Sequence, residues 1–381
     1  MNSEKEENAS LSALNDEVAM ENIGGAVFVG ILMLVGFIGN IHSVYIYFFS
    51  YKSSSYRTFV LCLALIDVLA CCITMPFVLY MLRYPLMFQN GPVCKIMKLT
   101  TYFITIGSAT ILLIIAIERY RKVCVPHGTQ ILEDKAKVAC IIGYTVSFAL
   151  SWPTLVLYGN KSVETGRANI TGSECDVSDD YWDTPYPSIL KFGLLFVFIV
   201  SAVVLSIIYS LIWRQIVRRR NFRESVTPSS LKTAERPLND NDGSFEPEKN
   251  KSEEKSTQKN TDIMCFDHEE DQNHASYNVK NSHQKKGLKK ADTATLVLCL
   301  ITTIFCISFL PHLILRICEF LNKSFVSNMS FTGRVMYNIF RWSFFINHMA
   351  NPIMYGLCDQ RYRSEFQILY KNISYCFCRR K

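Results

Sequence analysis

FVFIVSAVVLSIIYSLIW, residues 196–213, carries no charged side chain and leaves no stripe of its helical surface polar enough to face water. As a helix its eighteen residues rise about 27 Å at 1.5 Å per residue, close to the ~30 Å hydrocarbon core of a bilayer. TLVLCLITTIFCISFLPHLIL, residues 295–315, has the same character. A helix in a soluble bundle needs a polar face, and these two have none. The chain is therefore read as a membrane protein.

Working outward, apolar runs of spanning length recur at about 24–50, 57–83, 92–124, 136–158, 187–217, 292–320 and 333–356. The fold class expected is an all-α membrane protein: a seven-helix transmembrane bundle. The 381 residues are 49% hydrophobic and 13% aromatic, but the 19% that are charged sit mostly in short clusters and one long polar stretch. That stretch, 218–290, holds SEEKSTQKNTD and too few apolar residues to fold alone, so it is expected to be a disordered cytoplasmic loop. Residues 1–23 read as an extracellular tail, 24–217 as spans one to five, 291–356 as spans six and seven, and 357–381 as a cytoplasmic tail.

Orientation follows from the basic residues, which short loops retain on the cytoplasmic side. Lys52 and Arg57 follow span one; Arg119, Arg121, Lys122, Lys135 and Lys137 follow span three; Arg218, Arg219 and Arg220 end span five. The acidic N-terminal tail is then outside, and seven spans leave the C-terminus inside. The tail lacks the basic n-region of a cleaved leader, so span one is expected to act as its own insertion signal. Asn8, Asn160, Asn169, Asn322 and Asn328 open glycosylation sequons in segments expected outside, whereas Asn250 and Asn372 open them inside.

Of fourteen cysteines, most lie within spans or on the reducing side. Cys94 and Cys175 are the two placed where a disulfide would persist, and they are expected to be joined. Cys376 and Cys378, in CFCRRK, follow an amphipathic segment and read as S-acylation sites, the alternative being two free thiols.

IAIERYRKVCVP, residues 115–126, sets Glu118 beside Arg119 at the end of an apolar run. From Cys94 to Arg119 a helix rises about 37 Å, so the pair lies at the cytoplasmic mouth. There Glu118 neutralises Arg119 until a partner takes the arginine over.

These residues resemble the rhodopsin-like (class A) G-protein-coupled receptors, most closely the neuropeptide-receptor group. Glu118-Arg119-Tyr120 matches the family's D/E-R-Y motif, with Pro126 after it. Gly39-Asn40, LALID ending at Asp67, Tyr209, Phe305 with Pro311, and Asn351-Pro352-Ile353-Met354-Tyr355 match its other landmarks, and Cys94 with Cys175 its extracellular disulfide. DQRYRSEF, 359–366, is similar to its short amphipathic helix. The resemblance implies a heterotrimeric G protein, arrestin and receptor kinases as partners in the plasma membrane, with no nucleic acid. It also implies a switch built from Glu118, Arg119, Tyr120, Tyr209, Asn351, Pro352 and Tyr355.

Asp67 is the one acid in the middle of an apolar span, costly unless solvated, paired or protonated. The resemblance brings Ser108, Asn347 and Asn351 beside it, an oxygen-rich set like the family's sodium site. No enzymatic cofactor is expected, and the two occupants weighed for this carboxylate are an allosteric sodium ion and a proton. His348 beside it is unusual for the family.

Departures narrow the ligand. Thr101 stands where amine receptors carry an aspartate, and Phe345 where opsins carry a lysine. Phe309 replaces the usual tryptophan before the span-six proline. The expected cavity is lined by Thr101, Tyr102, Thr105, Phe309, His312, Arg316, Arg341 and Phe345. Arg341 lies inside span seven, where an unpaired charge is expensive, so Glu319 or a ligand anion should meet it. The loop 159–184, rich in Asp and Glu, would draw a cationic ligand. Together these suit a basic neuropeptide with one acidic group. The alternatives are a lipid or small-carboxylate receptor, or a transporter, against which the spans show no inverted repeat. An enzyme is excluded by the lack of a nucleophile with its base, a metal spacing or a phosphate loop.

Overall fold

The computed structural model describes residues 2–165, 170–226, 269–322 and 324–378, without the side chains of 2–8, 220, 223–226, 269–294 and 372–378. The sequons at Asn169 and Asn250, and the side chains of Asn8, Asn372, Cys376 and Cys378, lie outside the described residues. So does most of the polar loop, 227–268.

Six helices are long and apolar enough to cross a bilayer: Ile23–Phe49, Ser55–Arg83, Gly91–Cys124, Glu133–Leu157, Tyr186–Arg219 and Thr295–Leu321. Each falls on an expected span. The fifth span belongs to a helix running Tyr186–Val226 and the sixth to one running Glu269–Leu321, both reaching into the stretch expected to be loop. The contacts divide the chain into one unit of Met1–Gln215 with Thr293–Lys381, which holds every site discussed below, and a second of Ile216–Asp292. Span five shows what surrounds the helices: Phe196, Ile199, Val203 and Ile207 are each more than half exposed. Such a contiguous apolar surface belongs in lipid.

Span seven is broken rather than continuous. Phe331–Arg341 is separated by a 3-10 turn, Ser343–Phe345, from Ile346–Cys358, which carries Pro352 inside it. At the same level span six carries Pro311, which has no N–H to give to the helix. Ser343 Oγ donates to the Ser308 carbonyl at 2.7 Å, stitching the break of one span to the bend of the other. Local signals set the ends elsewhere. Asn90 caps span three by accepting from Val93 N at 3.1 Å, with Pro92 in the first turn. Span two widens into a π turn at Ala70–Thr74, which ends two residues before Pro76.

Gly39 is required for close approach. A Cβ there would stand 2.6 Å from Pro352 Cγ, so any side chain would push span one off span seven. Its neighbour Asn40 donates through Nδ2 to the His348 carbonyl at 2.7 Å and to Gly36 O at 2.8 Å. The main core continues from these spans through Leu63, Ile111, Ile115, Leu298, Phe305 and Tyr355.

After span four the strands Tyr158–Glu164 and Thr171–Val177 form an antiparallel hairpin. Cys175 is disulfide-bonded to Cys94, pinning the hairpin to the start of span three. The expected tail folds as a helix, Asn2–Glu21. Buried Asn15 donates to Arg83 O and accepts from Leu86 N, both at 3.2 Å. Arg83 pairs with Asp16 and Arg334 with Glu21, each at 2.8 Å. The helix Gln360–Cys378 follows Asp359, whose carboxylate accepts from Arg361 N and Tyr362 N and from the hydroxyls of Tyr47 and Tyr51.

Candidate functional site

At the Arg119 end of the bundle a single carboxylate holds three groups. Glu118 Oε2 lies 2.6 Å from Arg119 Nε, while its Oε1 lies 2.6 Å from Lys122 Nζ and accepts from Ser55 Oγ at 2.8 Å. Both members of the Glu118–Arg119 pair are buried, and the arginine lies over the Tyr56 ring. Arg119 Nη2 is buried with no hydrogen-bond partner among the described residues. Sequence reading found the pair and missed Lys122 and Ser55 as its other partners. Lys122 was legible as the i,i+4 neighbour of Glu118; Ser55 comes from another span and was not.

Tyr209, on span five, is tied to span six, its hydroxyl 3.0 Å from Thr302 Oγ1 and 3.3 Å from Leu298 O. Tyr355 is fully buried against Tyr47, its hydroxyl without a hydrogen-bond partner among the described residues. Tyr120 is half-buried.

Midway along the bundle Asp67 is buried, and each of its oxygens meets a nitrogen. His348 Nδ1 lies 2.7 Å from Oδ1, and Asn351 Nδ2 donates to Oδ2 at 2.6 Å. Ser108 Oγ, Asn347 Oδ1 and Asn351 Oδ1 are buried without hydrogen-bond partners among the described residues. Of the expected donors Asn351 meets Asp67, through its amide nitrogen, and the carboxylate that would carry a sodium ion is engaged by that amide and an imidazole, an arrangement that does not fit the ion.

Toward the Cys94 end, Lys98, Thr101, Tyr102 and Thr105 share one face of span three, following helical spacing. Thr101 Oγ1 turns back to Met97 O at 2.8 Å, and Thr105 is half-buried. The Tyr102 hydroxyl meets that of Tyr158 on the hairpin at 2.8 Å, and Lys98 Nζ lies 5.2 Å from the centre of the Tyr158 ring. From span six, Arg316 pairs with Glu319 at 2.8 Å, and Tyr337 donates a short hydrogen bond to the other Glu319 oxygen. His312 Nδ1 lies 2.6 Å from the Arg341 carbonyl, joining spans six and seven.

Arg341 lies over the rings of Tyr337 and Trp342. Its Nε is buried without a hydrogen-bond partner, and its guanidinium has no ion pair among the described residues. Glu319 is close enough to act on it electrostatically, but that carboxylate is bonded to Arg316 and Tyr337. Asp176, on the hairpin, faces the same region. Burial alone would raise its carboxyl, but Lys98, Arg316, Lys191 and Lys161 together bring it down to about 2.

Two expected lining residues serve other purposes here. Phe309 packs with Phe305, Phe198 and Phe344 in an aromatic core, ring centroids 4.7–5.6 Å apart. Phe345 is buried against Trp342 and Phe344. Lys98 and Lys191 belong to the charge set around Asp176 and were missed; Lys98 could have been found from its helical spacing to Thr101 and Tyr102. The acidic loop is partly satisfied internally, with Glu174 on Lys161 and Asp179 on Ser162. Asn160 donates to Gln89 O, whereas Asn322 and Asn328 are exposed.

The family model described as 7 transmembrane receptor (rhodopsin family) matches residues 39–355. The chain belongs to that family. It is a multi-pass membrane receptor and not an enzyme. Its curated relatives match over shorter stretches. The neuropeptide S receptor of Mus musculus is 29% identical over 134 residues, 35% of this chain and 34% of that receptor. The rat protein of the same name is 30% identical over 135 residues. The cholecystokinin receptor type A of Cavia porcellus is 28% identical over 204 residues, 49% of this chain and 45% of its own length. The chain thus spans about a third to a half of the length of these relatives.

Proposed function

We propose that this receptor binds an extracellular neuropeptide through an acidic group on the peptide, and that binding activates a heterotrimeric G protein at the Arg119 end. The observation that carries the ligand class is Arg341. Its charge is held inside span seven by two aromatic rings, with no carboxylate paired to it among the described residues. Around it Lys98, Lys161, Lys191, Arg316 and Arg341 stand against Glu174, Asp176 and Glu319, five cations to three carboxylates. A side-chain or terminal carboxylate of a ligand would correct that imbalance through a bidentate contact. Similarity to a receptor named for neuropeptide S supports the peptide reading.

The rest follows from the geometry. The hairpin is tethered to span three by Cys94–Cys175, and exposed Glu164 on it and Asp183 beyond it would attract basic residues of the peptide. Contact with His312, Arg316 and Arg341 acts on the junction of spans six and seven, where Ser343 bonds the Ser308 carbonyl beside Pro311. Moving span six away from span five breaks the Tyr209–Thr302 contact, opening the face where Arg119 Nη2 has no partner. A ligand shifts this equilibrium only by its preference for the open packing. The plasma membrane, an extracellular N-terminus, arrestin and receptor kinases, glycosylation at the outer sequons and acylation at Cys376 and Cys378 belong to the same reading.

The test is a calcium and cAMP response in cells expressing the receptor, screened against amidated and free-acid neuropeptides, with Arg341→Ala beside the wild type. A peptide response lost in Arg341→Ala at equal surface expression supports both the ligand class and the anion contact. Silence across the library, with a response to lipids or small carboxylates, would replace the peptide by the second ligand class.

A further inference from the structure

Receptors of this architecture are expected to hold a sodium ion on the span-two aspartate, and the surroundings of Asp67 argue against it here. A carboxylate at the centre of a bundle needs a charge or donors to face it. Asp67 has both oxygens supplied by nitrogen, from His348 at 2.7 Å and Asn351 at 2.6 Å. A hard cation of sodium's size sits roughly 2.3–2.6 Å from its oxygen ligands, so an ion on Oδ1 would compete for the space that the imidazole nitrogen fills.

The imidazole is also fixed from its backbone. Asn40 Nδ2 donates to the His348 carbonyl at 2.7 Å and is itself anchored on Gly36 O. Gly39, one residue before Asn40, lets span one press on Pro352. Phe345 lies one turn before His348, its ring centroid 6.0 Å away, and is itself buried. His348 is 2% exposed and Asp67 is 0% exposed. Turning the ring out to admit an ion would leave a buried imidazole to be rehoused in apolar packing.

We propose that His348 takes the place of the sodium ion, so that the mid-bundle site of this receptor does not bind sodium and its packing is indifferent to sodium concentration. The oxygens of Ser108, Asn347 and Asn351 left without partners suit ordered water, which gives hydrogen bonds to acceptors and receives one from a hydroxyl.

The experiment is thermal unfolding of the purified full-length receptor, in NaCl and in choline chloride at the same ionic strength. The wild-type midpoint is expected to be the same in both salts. His348→Ser exchanges the ring for a small oxygen donor and should gain a sodium response, a midpoint roughly 2 °C higher in NaCl than in choline chloride when sodium is at about twenty times its dissociation constant. The wild-type comparison stands without any variant having to fold. A wild-type midpoint that rises with sodium, and loses that rise in Asp67→Asn, would overturn the proposal. A folded His348→Ser receptor that stays indifferent to sodium would also overturn it, because the imidazole would not be what excludes the ion.

Discussion

Lys122 Nζ lies 2.6 Å from one oxygen of Glu118, as close as Arg119 Nε lies to the other. A carboxylate that is 1% exposed therefore balances two cations, one almost fully buried and one 37% exposed. The two contacts are unequal. The exposed lysine is screened and contributes about 0–1 kcal/mol, whereas removing the partner of a buried charge costs about 3–5 kcal/mol. Glu118→Gln should therefore raise basal nucleotide exchange on an added G protein several-fold and lower the thermal midpoint. Lys122→Met should change both much less. Equal effects of the two variants would show that Lys122 bears as much of the restraint as Arg119.

The contact between Tyr209 and Thr302 joins spans five and six, and breaking it should favour their separation. Tyr209→Phe removes a hydrogen bond of about 0.5–1.5 kcal/mol without emptying the site. If the closed packing alone contains this contact, Tyr209→Phe raises basal exchange by a few-fold, and Thr302→Val adds little more. A double-mutant cycle reads the coupling directly; strictly additive effects would mean that the two hydroxyls act on activation separately.

The two ends of the bundle were unequally legible in the sequence. Six of the spans were readable because an unbroken apolar run has no other solvent than lipid, whereas the seventh carries Arg334 and Arg341 and is broken at Ser343–Phe345. Glu118–Arg119 was readable because adjacent residues on one helix stay adjacent. Contacts between spans were not. Ser55 reaching Glu118, Tyr102 reaching Tyr158 and His312 reaching the Arg341 carbonyl depend on helix rotation and on where span seven breaks. The engagement of Asp67 by His348 depends on rotamer and backbone tether, so the sequence could place the two near each other without saying which of them faces inward. The N-terminal helix escaped because its composition is polar and its apolar stripe short, Leu11, Leu14 and Val18, with docking that also uses hydrogen bonds such as those of Asn15.

That docking predicts a local effect. Asn15→Ala leaves the Leu86 N–H buried without its acceptor, a loss of about 1–3 kcal/mol. Hydrogen exchange should quicken in residues 9–22 and around Leu86 while the Arg119 end of span three keeps its protection. Unchanged exchange in both segments would mean that the Arg83–Asp16 and Arg334–Glu21 pairs suffice to hold the helix.

Asp176 gives the last prediction a definite pH window. Its carboxyl is depressed from the ordinary 3.8 to about 2 by Lys98, Arg316, Lys191 and Lys161, which together outweigh the opposing effect of burial. A group whose pKa is lower in the folded state stabilises the fold above its unfolded value and loses that contribution as pH falls through the folded one. The stabilisation is thus complete at pH 5 and unchanged at pH 6.5, and it disappears only toward pH 2. Asp176→Asn should lower the thermal midpoint by the same few degrees at pH 5 and pH 6.5, because the surrounding cations then face one another without this carboxylate. A deficit that shrank between pH 6.5 and pH 5 would show that Asp176 takes up its proton in that range, and that the neighbouring cations do not hold it ionised.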